Sequence, residues 1–257
     1  EASGMQRSPA DISNVVMAIK CGASDTTSGM ASNCVIGYVA DRLVGLGATV
    51  VFGETTEFIG GEHLLARRAV SKEVGDQIYT IVNKMEARAK SLGCDMRKGQ
   101  PTPGNIAGGL SSIEEKSLGA IVKSGTKPIQ GVLDYPERVT NQKGLWIKDT
   151  PGREPEILTG MAATGAQFMM FSTGRGAPQG FPSMPVIKIC GNPNTYERME
   201  DDMDLNAGLI ITGEKTIEQV GEEAFDKMIR TLNGEMTKNE AIQYFSSIDI
   251  QCLGPVI

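Results

Sequence analysis

The sequence predicts an α/β fold built on a mostly parallel sheet. Short apolar runs alternate with longer stretches of helical periodicity along the whole chain, the pattern of repeated βα units. The 257 residues are 40% hydrophobic and 22% charged, ordinary for a soluble globular protein and enough to bury a core without disulfides. Polar, chemically able side chains gather where apolar runs end, which is where ligands bind in open α/β sheets. A single α/β domain over residues 1–257 is expected, a Rossmann-like layered sandwich with helices on both faces.

The elements follow in order. Val15-Val16-Met17-Ala18-Ile19-Lys20 reads as a buried strand, because an uninterrupted apolar run suits a strand covered on both sides. Residues 31–47 read as a helix ending at Gly45 or Gly47, and 49–53 as the next strand. Lys72 to Leu92 is a long helix with Ile78, Ile81, Val82 and Met85 on one face and Gly93 as its C-terminal stop. A Pro/Gly-rich loop is expected over 99–109. Ser111 or Ser112 with Glu114-Glu115 resembles a capping box that opens a helix ending near Gly125. Strands are expected at 129–133, 144–148, 167–172, 185–190 and 208–212. Helices are expected at about 153–165, 216–232 and 238–246.

Composition excludes several function classes. A net charge of −6 with no long basic run argues against nucleic-acid binding. No apolar stretch is long enough to span a membrane, and residues 1–14 are too polar for a secretory signal. The five cysteines (21, 34, 94, 190 and 252) are scattered, with no Cys-x-x-Cys pair; a structural thiolate zinc site is not expected, and free thiols fit a cytoplasmic location. The chain does not begin with Met and is read as a piece of a longer protein.

The richest stretch is Cys21-Gly22-Ala23-Ser24-Asp25, in the turn after the first strand. The Cys21 thiolate or the Asp25 carboxylate can bind a metal, and Ser24, Ser28 and nearby backbone N–H groups can hold a substrate carboxylate. Equally, Asp25 or Ser28 can simply cap the following helix while Cys21 is a small buried hydrophobe. Glu54 and Glu57, three apart past the second strand, can hold a divalent ion, divide acid and base duties, or be solvated loop acids. His63, the only histidine, can act as acid or base or face water at a helix start. Lys116 and Lys123 lie seven apart, on one helix face; a desolvated lysine can take a proton from carbon, although two solvent-facing lysines are the default. Asn105 lies in the Gly-rich run 101–110, which lacks a Walker sequence. Phe171-Ser172-Thr173-Gly174-Arg175-Gly176 ends another strand, and Arg175 offers a fork matched to a carboxylate. Glu200-Asp201-Asp202-Met203-Asp204 reads as a solvated helix end.

Taken in order, these segments resemble the carboxy-terminal region of the altronate dehydratase and galactarate dehydratase family, which also includes the large subunit of (2R)-sulfolactate sulfo-lyase. The residues that carry the resemblance are Lys20 to Asp25 with Ser28-Gly29, Glu54-Thr55-Thr56-Glu57 with Gly61-Glu62-His63-Leu64-Leu65, Pro103-Gly104-Asn105 with Gly108-Gly109-Leu110, Glu115-Lys116-Ser117-Leu118-Gly119, Asp149-Thr150-Pro151-Gly152, Thr173-Gly174-Arg175-Gly176, and Asp202-Met203-Asp204 with Asn206 and Gly208. The Thr173 and Asp149 motifs are closer to the sugar-acid branch; Gly104 to Leu110 and Gly144-Leu145-Trp146 are at least as close to the sulfo-lyase branch. Ala23 stands where the family often has glycine, a change that costs little unless the position needs φ > 0.

The resemblance implies a hydro-lyase that removes water from a sugar acid to give a 2-keto-3-deoxy acid with the help of a divalent metal, iron(II) above all. The sulfo-lyase branch expels bisulfite instead. Both are β-eliminations beside a carboxylate: a base takes the α proton, a cation or donor set stabilises the enediolate, and an acid or Lewis acid assists the leaving group. On this reading Cys21, Asp25, His63 and Lys116 are the catalytic candidates, with Lys116 or His63 as the base. Glu54 and Glu57 are the metal candidates. Ser24, Ser28, Asn105, Thr173, Gly174 and Arg175 bind substrate, and all of these residues line one cleft. The family also implies a further amino-terminal domain or small subunit as partner, and a homo-oligomer is expected. Two other readings remain: a non-catalytic half-site or dimerisation module, and a generic α/β binding protein.

Overall fold

The computed structural model describes residues 4–245 and 248–252. Seven parallel strands form one sheet in the order β3-β4-β2-β1-β5-β6-β7: β1 Val16–Gly22, β2 Thr49–Phe52, β3 Ile129–Leu133, β4 Gly144–Lys148, β5 Phe168–Thr173, β6 Val186–Cys190 and β7 Leu205–Asn206. The central strands β1 and β5 are buried along nearly their whole length, as their continuous apolar runs require. From β1 the chain first builds outward through β2, then crosses back through α7 (Glu154–Ala163) to lay β5 on the other side of β1. The crevice beyond the carboxyl ends of β1 and β5 is therefore the point where strand order reverses.

One face of the sheet is covered by α1 (Asn33–Gly45), α3 (Lys72–Ser91) and α10 (Ile217–Leu232), whose Val35, Ile36, Ile78, Val82, Val220 and Met228 join Met17, Ile19, Val50 and Phe52 in the larger core. The other is covered by α7, where Ile157, Leu158 and Met161 meet Ala18, Val51 and Met169. The end signals read from sequence are in place. Gly93 follows α3 at φ +77°. Ser112 accepts the Glu115 N–H at 3.2 Å to open α6 (Ile113–Ile121), and the Glu115 carboxylate reaches back to the Ser111 N–H at 2.7 Å. A capping box not singled out in the sequence, Thr216 with Gln219, opens α10.

Two expectations are corrected. Residues 208–212 were expected as a strand, but Gly208–Ile211 is the short helix α9; pairing stops after the two-residue edge strand β7. The Asn206 side chain accepts the Gly208 N–H at 2.9 Å and turns the chain out of the sheet. An apolar run as short as Leu209-Ile210-Ile211 does not by itself distinguish strand from helix. The expected loop 99–109 contains α5 (Pro103–Ala107), opened by a Thr102–Asn105 capping box with Pro103 at the first helical position. The remaining helices are α2 (Glu62–Arg67), α4 (Met96–Gly99), α8 (Pro193–Arg198) and α11 (Lys238–Ala241), the last shorter than the expected 238–246, of which residue 246 lies outside the described residues. No helix among the described residues is long and apolar enough to cross a membrane, and all five cysteines are free.

Candidate active site

The first strand ends in a charge cluster buried beneath a cleft. Lys20, in β1 at the end of an otherwise apolar run, is fully buried. Its Nζ donates to the Cys21 carbonyl at 2.8 Å and to Glu54 Oε1 at 3.1 Å, and lies 3.4 Å from Glu154 Oε1. Glu54 Oε2 accepts the Cys21 N–H at 2.9 Å and Lys123 Nζ at 2.6 Å. Lys123 also donates to Cys21 Sγ at 3.0 Å. One buried carboxylate is thus shared between two buried ammonium groups, with a thiol against the second.

The charges follow from this packing. Burial pushes the Glu54 carboxyl up, but Lys123 and Lys20 outweigh it and hold the group below its ordinary range. Burial pulls Lys20 down, and Glu54 and Glu154 more than restore it; Lys123, beside Cys21 and Glu54, likewise ends above the usual lysine range. Burial and the Glu54 charge push the Cys21 thiol up to about 12, despite Lys123 beside it. Cys21 is therefore a neutral thiol near pH 7, and Lys20 and Lys123 are fixed cations.

The turn after β2 is held by β4. The Glu54 N–H donates to Thr150 Oγ1 at 2.7 Å and Thr55 Oγ1 to Asp149 Oδ1 at 2.7 Å. This gives the Asp149-Thr150 motif a structural role: it fixes Glu54 in the left-handed region at φ +72°, where a non-glycine residue costs about 1–3 kcal/mol. Ala23 is also left-handed, at φ +49°, so this is a position where glycine would be at ease.

Above the cluster lies a cleft of about 460 Å³, with Cys21, Ser24, Glu57, Asn105, Lys116 and Glu154 on its wall. Lys116 on α6 pairs with Glu57 at 3.2 Å and donates to Gln100 Oε1 at 2.7 Å. Both lysines of the seven-residue spacing therefore turn inward, against the solvent-facing default. Asn105 donates to the Ser24 carbonyl at 2.9 Å, tying α5 to the β1 turn.

Asp25 faces the other way, into an adjoining cleft of about 560 Å³ at the ends of β5 and β6, which Arg175 also lines. Asp25 Oδ1 accepts the Thr27 hydroxyl at 2.6 Å and the Ser28 N–H at 3.0 Å, the Asp25 N–H donates to Ser28 Oγ at 3.1 Å, and Oδ2 accepts Asn192 Nδ2 at 3.0 Å. Asp25 and Ser28 thus cap each other, the bland alternative of the sequence reading. Past them the chain winds into wide π-helical turns over Ser28–Ser32 before α1. Thr173 and Gly174 are buried behind this turn; Thr173 Oγ1 accepts the Gly176 N–H at 3.0 Å, and Thr173 pairs in register with Gly22.

The expected single cleft is therefore two, divided by the Ser24–Asp25 turn and Asn105. His63 belongs to neither. It stands exposed on α2, whose buried position is Leu65, two residues on and so on the opposite side of the helix. The donor set does not fit the expected iron(II). Glu54 is spent on Lys20 and Lys123, Glu57 faces Lys116, and no group of three or more His, Cys, Asp or Glu side chains among the described residues is arranged to hold an ion.

The sequence reading missed Lys20, Glu154, Asn192 and Arg198, and gave Lys123 no part in the site. A signal for Lys20 was present. A buried lysine in an apolar strand calls for a partner; Lys148 and Lys188 are also fully buried, at the same level of β4 and β6, though Lys188 Nζ finds no hydrogen bond among the described residues.

Comparison with known proteins agrees with the resemblance read from the sequence. The family described as D-galactarate/altronate dehydratase, C-terminal, matches residues 12–252. The (2R)-sulfolactate sulfo-lyase subunit beta of Chromohalobacter salexigens is 40% identical over 243 residues, covering 94% of this chain and 62% of its own length. The galactarate dehydratase (L-threo-forming) of Escherichia coli is 40% identical over 230 residues, 90% of this chain and 44% of its own length. The altronate dehydratase of Bacillus subtilis is 34% identical over 239 residues, 93% of this chain and 48% of its own length. The chain thus spans roughly half the length of these curated relatives, which are named as dehydratases or a sulfo-lyase subunit. It belongs to the D-galactarate/altronate dehydratase family, as that family's C-terminal region.

Proposed function

We propose that the Cys21–Lys116 cleft performs β-elimination on a hydroxy acid, dehydrating a sugar acid such as altronate or galactarate to a 2-keto-3-deoxy acid. The observation that carries the reading is the Lys116–Glu57 pair at 3.2 Å on the cleft wall, above a buried cluster with two fixed cations. Abstraction of a proton α to a carboxylate needs a base, a second group to donate to the departing hydroxyl, and positive charge where the enediolate develops. The Lys116–Glu57 pair supplies a proton acceptor and a proton donor side by side. Lys20 and Lys123 place two fixed ammonium groups under the cleft floor, offset by Glu54 and Glu154. Neutral Cys21 adds no further negative charge.

Water is the expected leaving group in the sugar-acid branch and bisulfite in the sulfo-lyase branch; Thr173-Gly174-Arg175-Gly176 favours the former. The partner we propose is the remainder of the longer enzyme, as a further domain or a small subunit.

The test is turnover by the full-length protein of hexonates, hexarates and sulfolactate, read as 2-keto product. Lys116→Ala and Glu57→Gln should each lower kcat by about 10²- to 10⁴-fold, the usual worth of general acid–base catalysis. Full activity in both variants would sink this assignment.

A further inference from the structure

The proposed elimination ends one proton transfer short of its product. Loss of the α proton and the β hydroxyl leaves an enol. A 2-keto acid forms only when the enol O–H gives up its proton and the β carbon gains one. The Lys116–Glu57 pair closes its own cycle before that step. One member gives a proton to the departing hydroxyl, the other takes the α proton, and exchange across their 3.2 Å contact returns both to the starting state. Ketonisation therefore calls for a further group that can both accept and donate a proton.

Glu154 is placed for that work. Two acids line the Cys21–Lys116 cleft, Glu57 and Glu154, and only Glu57 is paired with Lys116. Glu154 comes from a different element, as the first residue of α7. Its side chain is 28% exposed, whereas that of Glu54 in the buried cluster is 1% exposed. Its Oε1 lies 3.4 Å from Lys20 Nζ, and among the described residues its Oε2 has no hydrogen-bond partner. Position 22 makes room for it: a Cβ there would stand 2.7 Å from Glu154 Oε1, so glycine at the end of β1 lets the carboxylate lie over the turn. Lys20 thus anchors one oxygen and leaves the other free. Resting on the elimination proposed above, we infer that Glu154 is a further catalytic residue, the group that ketonises the enol. Its free oxygen accepts the enol O–H proton, and a proton passes from the carboxyl to one face of the β carbon. The carboxylate ends as it began, and the product is the 2-keto acid. The step serves either leaving group, because loss of water and loss of bisulfite both leave an enol.

The experiment uses the full-length protein in D2O and reads deuterium on the β carbon by NMR. Given a ready-made ketone (2-keto-3-deoxyhexarate, 2-keto-3-deoxyhexonate or pyruvate), the protein should exchange the β hydrogens by running the step backward, with no elimination required. Glu154→Gln should slow this exchange by about 10²- to 10⁴-fold, and Glu154→Asp should restore part of it. During dehydration of a hydroxy acid, the wild type should place deuterium in one of the two β positions. Glu154→Gln should still consume the hydroxy acid, but release an enol that ketonises in solution and labels both positions equally. Exchange or single-position labelling that survives Glu154→Gln, or scrambled label from the wild type, overturns the inference and leaves the elimination standing. Loss of consumption together with exchange in Glu154→Gln would place the residue in the first step or in the fold, and overturns the inference too. Glu154-dependent exchange without turnover of any hydroxy acid supports the inference, and it is then the elimination that fails. A wild type that neither exchanges nor dehydrates overturns both.

Discussion

Glu54 is the residue on which the site turns. Its backbone is strained, its side chain is fully withdrawn from water, and its two oxygens answer to two different lysines. A buried ion pair is weak support for stability as a whole, but removing one partner strands the other. Lys123→Met leaves Glu54 and Cys21 without their shared cation; chemical denaturation should show a loss of about 3–5 kcal/mol, and undiminished stability would contradict the shared-carboxylate geometry. Sequence pattern brought candidate residues to one place better than it assigned roles. Cys21, Glu54 and Glu57 were legible as neighbours because they follow or end the adjacent strands β1 and β2. His63 was singled out for being unique, which says nothing about which side of a helix it occupies. Lys123 was noticed only for its spacing from Lys116, since partners brought together from separate turns leave no trace in local periodicity.

At the scale of elements, the glycine-bearing motifs are about closeness. A Cβ at position 174 would stand 2.0 Å from Asp25 Oδ1 and 2.6 Å from Ser28 Oγ; one at 108 would stand 2.7 Å from Asp25 Cβ. The Thr173–Gly176 turn and the end of α5 therefore close on the Asp25 turn from two sides, which only glycine permits. Gly174→Ala must displace the Asp25–Ser28 caps, at a cost of about 1–3 kcal/mol typical of overpacking. A melting curve indistinguishable from the parent's would show that the turn is looser than drawn. Six of the seven strands were legible in the chain because apolar runs bounded by turns are unambiguous when they recur. β7 and α9 were not, because at the sheet edge one asparagine side chain, not periodicity, decides where pairing ends.

At the scale of the molecule, buried titrating groups set opposing slopes of stability against pH. Burial holds Lys148 and Lys188 down at about 8, below the ordinary 10.5, so the folded state binds fewer protons there and stability rises with pH between those values. Cys21, raised to about 12 from 9.0, and Lys20, raised above 10.5, act in the opposite sense: their contribution is complete below the ordinary values and is lost as pH climbs through the raised ones. Glu54, lowered from 4.5, contributes above that value and fails as pH falls through its depressed one. Melting temperature should therefore peak on the alkaline side of neutrality. Among the described residues Lys188 Nζ has no hydrogen-bond partner; it lies over the Phe171 ring at 5.8 Å and in the field of Asp204 and Asp202. Lys188→Met should accordingly raise the melting temperature at pH 7 and flatten the climb toward pH 10. A variant less stable than the parent at pH 7 would show that the amine is satisfied in some other way.

The two described ends of the chain lie at different poles. Arg7 to Asn14 runs beside Leu232 and Gln167, where the strands begin. Ile248 to Cys252 lies along α3 and beside Pro151 and Arg153, with Asp249 3.1 Å from the Arg153 guanidinium, and Pro151 and Arg153 also edge the Cys21–Lys116 cleft. For anyone fixing this protein to a bead, an electrode or a sensor chip, the choice of end is thus a choice of orientation. A handle at the front sits by the strand starts, away from the Cys21–Lys116 cleft, whereas one at the back sits beside the mouth of that cleft.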